Sequence, residues 1–127
     1  MKIALIAPKW NKKANDYPPL GLAYLAAVME QSGHETRIFD LSLDPDSSLE
    51  ADADSIVAFD PQLVGITAMT SLYQSALETA TLLKARLGRP IVIGGPHATM
   101  FPERLLTESP VLDYVVHWRL EIGRAHV

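Results

Sequence analysis

Three stretches of the chain carry groups able to hold a ligand. Gly94-Gly95-Pro96-His97-Ala98-Thr99 lacks a side chain at two successive positions, so backbone could approach a bulky flat molecule there. The same pair also suits a plain tight turn with glycine at positive φ. Thr67-Ala68-Met69-Thr70-Ser71 offers hydroxyls that could bond a ligand's amides, or could cap a following helix through Thr70 or Ser71. Tyr17-Pro18-Pro19-Leu20-Gly21 joins a rigid entry to a small residue near a helix start, which leaves room for a cofactor or for close helix packing. His97 is the one histidine in these loops, and no second His, Asp or Glu stands at a spacing that would complete a metal site with it. No metal site is therefore expected. His34, after Gly33, reads as a turn residue, and Asp40, Asp44 and Asp46 read as caps and turn formers rather than a catalytic carboxylate set. With no cysteine, the chain offers no thiolate nucleophile, disulfide, zinc thiolate or iron–sulfur ligand.

The elements that must position these loops follow from hydrophobic periodicity. Residues 2 to 7 are a short apolar run closed by Pro8, as in a buried strand, and residues 9 to 19 lack periodicity and form a long loop at its carboxyl end. From 20 to 31, Leu22, Leu25, Ala26 and Met29 recur at helical spacing, with Pro19 suited to the first turn and Gly33 to the stop. A strand over 35 to 41, a break at Asp44-Pro45-Asp46-Ser47-Ser48 and a weakly amphipathic helix over 49 to 59 come next. The third strand is expected over 63 to 69. A helix over 71 to 87 then presents Leu72, Ala76, Ala80 and Leu83 on one face, with Gly88 as its end cap. A fourth strand over 90 to 93, the Gly94 to His97 loop, a short helix over 102 to 107 and a fifth strand over 112 to 116 complete the series. Strict alternation of strand and helix predicts a three-layer α/β sandwich around a five-stranded parallel sheet. Ligands in such sheets collect beyond the carboxyl ends of the strands, where strand order reverses, which singles out the loops after strands one, three and four.

Bulk properties narrow the function. At 127 residues there is room for one domain, and 48% hydrophobic with 20% charged residues is an ordinary globular composition. A net charge of −4 and a pI near 5.5 leave no basic face for nucleic acid, and no segment approaches the length of a signal core or membrane span, so a cytoplasmic protein is expected. Pro8-Lys9-Trp10-Asn11-Lys12-Lys13 stands where a dinucleotide fold needs Gly-x-Gly-x-x-Gly, and no Gly-Lys-Ser/Thr ends a glycine-rich run. A phospho-relay receiver would need acidic residues after strand one and an Asp after strand three, where Thr67 and Met69 stand.

Taken in order, Tyr17-Pro18-Pro19-Leu20-Gly21-Leu22-Ala23-Tyr24-Leu25-Ala26-Ala27, Ser32-Gly33-His34-Glu35, Val64-Gly65-Ile66-Thr67-Ala68-Met69-Thr70, Ile93-Gly94-Gly95-Pro96-His97-Ala98-Thr99 and Asp113-Tyr114-Val115-Val116 resemble the cobalamin-binding amino-terminal domain of radical S-adenosylmethionine enzymes. The resemblance implies a flavodoxin-like (Rossmann-like) fold holding cobalamin across the carboxyl edge of the sheet. Its nucleotide tail would run beside Gly94 and Gly95, with Pro96 and His97 following. Thr67, Met69 and Thr70 would form the polar loop after strand three, and Tyr17, Pro18, Pro19, Leu20 and Gly21 the edge facing the corrin. Bulk at Gly94 or Gly95 is then expected to abolish binding while sparing the fold.

Three departures from the family pattern shape these expectations. The Asp-x-His-x-x-Gly segment that supplies a lower cobalt ligand elsewhere is absent, so no His ligand to cobalt is expected; radical enzymes of this type often lack it too. The family's Cys-x-x-x-Cys-x-x-Cys motif is also absent, so the 4Fe-4S cluster and S-adenosylmethionine belong to a radical domain outside this chain, which is not catalytic by itself. The family's Gly-Glu-Gly-Glu after Asp-Tyr-Val-Val is replaced by His117-Trp118-Arg119-Leu120-Glu121. Residues 122 to 127 look like a translated sequencing adapter, so residues 1 to 121 are expected to be the natural domain, lacking its last helix. Two other readings remain: the amino-terminal half of a glycosyltransferase, suggested by the first strand and Gly33-His34-Glu35, and a non-enzymatic flavodoxin-like sensor or interaction module.

Overall fold

The computed structural model describes residues 1–10, 20–118 and 125–126. Strands β1 (Lys2–Ala7), β2 (Glu35–Asp40), β3 (Leu63–Thr67), β4 (Ile91–Gly94) and β5 (Tyr114–Val115) form one parallel sheet in the order β2-β1-β3-β4-β5. That order is the flavodoxin-like one, and it reverses between β1 and β3, which opens the crevice where ligands bind in such sheets. The helices are α1 (Leu20–Gln31), α2 (Leu49–Phe59), α3 (Tyr73–Leu87), α4 (Pro96–Met100) and α5 (Pro102–Glu108).

Alternate strand residues point to opposite faces, and the two faces are covered unequally. On one, Ala4, Ile6, Val64, Ile66, Ile91 and Ile93 pack with Ile56 of α2, Ala76 and Leu83 of α3, Ala98 of α4 and Leu105 of α5 in one buried cluster. On the other, Ile3 and Leu5 of β1 pack with Leu22 and Ala26 of α1. Among the described residues no second helix joins that smaller cluster, and Tyr114 of β5 is exposed. The expected boundary before residue 122 falls largely outside the described residues; of the tail, Ala125–His126 (β7) pairs antiparallel with His117–Trp118 (β6).

Local chemistry fixes the element ends. Ser48 accepts a hydrogen bond from the Ala51 N–H and caps α2, Gly88 at φ 62° closes α3 with its N–H on the Lys84 carbonyl, and Asp40 accepts from the Ser42 N–H at the end of β2. Asp40 and Gly88 thus have the capping roles expected of them. Elsewhere the expected limits shift. Strand β3 stops at Thr67, and a 3₁₀ turn, Thr70–Leu72, precedes α3. Neither Thr70 nor Ser71 caps a helix: Met69 and Leu72 stand at the cap positions and make no side-chain cap bond. Pro96 and His97, expected in a loop, open the five-residue α4 instead. Leu25, expected on the packed side of α1, is exposed.

Lys9, just past β1, ties three elements together. Its ammonium pairs with the Asp52 carboxylate of α2 at 2.9 Å and bonds the Ser47 hydroxyl, while its carbonyl accepts from Ser75 of α3. Both side chains of the pair are largely buried, 14% and 11% exposed, so removing the cation strands a carboxylate away from water. Lys9→Ala should lower the urea unfolding free energy by about 3 kcal/mol, and the double replacement Lys9→Met with Asp52→Leu by clearly less. Equal losses would show that the pair has no such role.

Asp113 fixes the start of β5 beside β4. Its carboxylate accepts from the Lys84 ammonium at 2.8 Å and from the Ile91 N–H at 2.8 Å, and these bonds hold its pKa below the ordinary carboxylate value. A lowered folded pKa means stability present above about pH 4 and lost as pH falls through the folded value. Because the ion pair is about one-third exposed, the contribution should stay below about 1 kcal/mol. Asp113→Asn should flatten the unfolding free energy between pH 5 and pH 2 relative to the parent; an unchanged slope would remove Asp113 from the acid response.

Candidate cofactor site

The loops leaving β3 and β4 form one joined unit at the carboxyl edge of the sheet. The Ala68 N–H donates to the Gly94 carbonyl at 3.0 Å, and the His97 N–H donates back to the Ala68 carbonyl at 3.1 Å. The register that pairs Thr67 with Gly94 brings the two expected ligand stretches side by side. Around this junction Met69, Thr70 and Pro96 are exposed, while Thr67, Gly94, Gly95 and His97 are half-buried. Leu20 and Gly21 stand exposed in the first turn of α1, at the same edge, because a helix following a strand starts where that strand ends. Tyr17, Pro18 and Pro19 lie outside the described residues.

The three glycines of these stretches differ in kind. A Cβ on Gly21 would meet no described atom within 4 Å, so close helix packing does not explain it. A Cβ on Gly94 would come no nearer than 3.9 Å to Val116, ordinary contact, so its lack of a side chain is not required by the described fold. Gly95 is different: at φ 97° and ψ −175° it occupies a region essentially reserved for glycine, and a Cβ would sit 2.7 Å from the Thr67 hydroxyl and 2.9 Å from the Ala68 carbonyl. The expectation that bulk at Gly95 would spare the fold is therefore corrected. Its missing side chain lets the β4 exit close onto the β3 exit.

Gly65, not among the site residues expected from the sequence, shares a sheet face with Leu5 and Gly94. A Cβ there would lie 3.0 Å from the Leu5 side chain. With Thr67 and Gly94 it makes a strip of small residues along β3 and β4 on the thinly covered face. A glycine inside a strand pattern is the signal that could have found it.

His97 contacts two rings. Its imidazole stacks on Tyr73 with centroids 4.2 Å apart and meets Phe101 at 5.2 Å, and Nδ1 is 3.2 Å from the Thr70 hydroxyl. Burial, and after it the positive charge of Arg104, hold its pKa below the ordinary histidine value, which favours the neutral ring. Among the described residues no three His, Asp or Glu side chains cluster to hold a metal ion.

A cavity of about 250 Å³ opens on the other side of the sheet edge, lined by Arg37, Asp40, Asp44 and Asp52 among others. Two of its carboxylates are engaged within the fold, Asp40 by Ser42 and Asp52 by Lys9 and Ser47. The lining comes from β2, the turn after it and α2, and includes no residue of the β3 and β4 loops.

A family model described as the B12 binding domain matches residues 11–122. An uncharacterized methyltransferase of Pyrococcus horikoshii is 38% identical over 96% of this chain, which covers 28% of that protein. Among solved structures, the radical S-adenosylmethionine methyltransferase TsrM of Kitasatospora setae, with cobalamin and a [4Fe-4S] cluster bound, superposes at a TM-score of 0.71 with 22% identity, over 86% of this chain and 22% of TsrM. A cobalamin-binding protein of Desulfitobacterium hafniense superposes at 0.66 with 22% identity, over 90% of this chain and 51% of that one. At these identities the structural likenesses establish the fold. The chain spans about a quarter of the length of the Pyrococcus relative.

Proposed function

Since the chain belongs to the B12-binding domain family, we propose that it holds cobalamin over the carboxyl edge of β1, β3 and β4 as the amino-terminal part of a radical S-adenosylmethionine enzyme. The observation that carries the placement is the glycine at 94: the described fold tolerates a side chain there, yet the strand end is kept bare beside exposed Met69, Thr70 and Pro96. Gly65, Thr67 and Gly94 then give the nucleotide tail a path along the sheet without a steric wall. The hydroxyls of Thr67 and Thr70 bond amide groups, and Met69 lends exposed apolar contact. Leu20 and Gly21 leave room at the start of α1, and Tyr17, Pro18 and Pro19 complete that edge in the proposal. Gly95, Pro96 and His97 serve by holding the β4 exit against the β3 exit.

When bound, cobalamin supplies cobalt-centred methyl-transfer or redox chemistry, and the residues of this chain bind and orient it. A chain without cysteine cannot ligate an iron–sulfur cluster, so the radical step belongs to a separate part of the proposed parent enzyme. None of the helices is long and apolar enough to cross a membrane among the described residues, and the proposal places the protein in the cytoplasm. The strand order and the family match favour this reading over a glycosyltransferase half or a sensor module.

Ligand linkage tests the proposal without any catalysis. A ligand that binds the folded state alone raises the unfolding free energy by about 2.7 kcal/mol at one hundred times its Kd. Hydroxocobalamin should raise the melting temperature in a concentration-dependent way, and a uridine sugar nucleotide should not. A flat response to cobalamin together with a rise in the sugar nucleotide would reverse the assignment.

A further inference from the structure

His97 is constrained by more than a ligand contact would need. Tyr73 of α3 stacks against it, and Tyr73 is itself pinned by its hydroxyl to the buried Ser109 at 2.6 Å. Phe101, four residues further along from His97, meets it at a tilt with centroids 5.2 Å apart. Two aromatic contacts restrict the rotation of the imidazole. Its Nδ1 lies 3.2 Å from the Thr70 hydroxyl, across the junction between the β3 and β4 exits.

We infer that His97 is a positioning residue that sets the direction of the Thr70 hydroxyl, and thereby the hydrogen bond Thr70 offers to the cofactor. A threonine hydroxyl has a single proton, and a neutral imidazole has one N–H and one bare nitrogen. If Nδ1 is bare, Thr70 donates into it and turns its lone pairs outward. If Nδ1 carries the proton, Thr70 accepts and its own proton is free to point outward. In the first case the hydroxyl, which would otherwise rotate freely, is fixed with its lone pairs outward; in the second one lone pair is taken and the proton is left for an outward acceptor. Desolvation and then Arg104 hold the ring's pKa below the ordinary histidine value, which favours the neutral form that the exchange with Thr70 needs. Thr70 is exposed, so its outward bond is available to a ligand.

This inference rests on the cobalamin reading above, and a double-mutant cycle separates the two. Hydroxocobalamin affinity is measured by absorbance titration of the full 127-residue chain for the parent, Thr70→Val, His97→Phe and the double variant. His97→Phe keeps a ring in the stack and removes the hydrogen bond. Thr70→Val and His97→Phe are each expected to weaken binding about tenfold, and the double variant about tenfold as well, since both remove the same bond. Independent losses that multiply to about a hundredfold would overturn the positioning role. His97→Asn, which keeps a hydrogen-bonding group near the Nδ1 position, should stay within about threefold of the parent, and a tenfold loss there would also overturn it. Parent-like affinity in His97→Phe with a tenfold loss in Thr70→Val sinks the role of His97 alone. Absence of cobalamin binding by the folded parent sinks the cofactor reading on which it stands.

Discussion

Gly94→Leu is expected to weaken cobalamin binding by at least about a hundredfold while leaving the melting temperature within a few degrees of the parent. Both halves come from one geometric fact: among the described residues a Cβ at this position meets only Val116, at 3.9 Å. Strand positions also favour side chains over glycine, so the folded state loses nothing intrinsic by the change. What changes is the approach to the edge, where a branched side chain would fill the space assigned to the nucleotide tail. Gly94→Ala should fall between parent and Gly94→Leu in affinity. If Gly94→Leu binds like the parent, the tail does not pass this strand end.

The neighbouring glycine should behave in the opposite way. Gly95→Ala is expected to destabilise the fold by on the order of 3 kcal/mol, through positive-φ strain and overlap with β3 together. The overlap is with the Thr67 hydroxyl and the Ala68 carbonyl, and the latter already accepts from the His97 N–H. Backbone on the β3 side cannot retreat without breaking that bond. For a domain whose whole stability is about 5–15 kcal/mol, such a loss should lower the melting temperature by roughly 10 °C. Thermal unfolding followed by far-ultraviolet circular dichroism gives the answer without any ligand. A variant as stable as the parent would mean that the β4 exit can re-route, and the two loops are not one unit.

The contrast between these adjacent glycines marks the limit of what a linear reading can give. Their shared suitability for turns and for close approach is local, and the sequence shows both possibilities for both residues. What separates them is where a Cβ would point: at Gly95 it would meet Thr67, a residue 28 positions away brought near by the pairing of β3 with β4, and at Gly94 it would not. Elements with strong local signals were legible. Residues 2 to 7 read as a strand from their apolar run, and α2 read correctly at both ends because Asp44 to Ser48 breaks the pattern before it. The two-residue β5 and the five-residue α4 are too short to display a period, so their limits were set by neighbours rather than by propensity.

The aromatic stack shows the same limitation from another side. His97 and Phe101 stand four residues apart, a helical spacing that would have paired them, but Gly94-Gly95-Pro96 marked the stretch as a loop. Tyr73 approaches them from another helix and carries no signal of its own. Lys9 likewise read as one residue of an irregular loop, although its ammonium and carbonyl both hold helices in place. In each case the partner is distant in sequence and the interaction is polar or aromatic, which hydrophobic periodicity does not register.

In the proposed placement this chain binds cobalamin at the joined exits of β3 and β4. Titration of the folded chain with hydroxocobalamin, followed in the visible spectrum beside Gly94→Leu, tests it most directly. The account predicts a saturable spectral change at one cobalamin per chain for the parent, and none in the same range for the variant. No spectral change in a parent sample with intact circular dichroism and cooperative unfolding would contradict it.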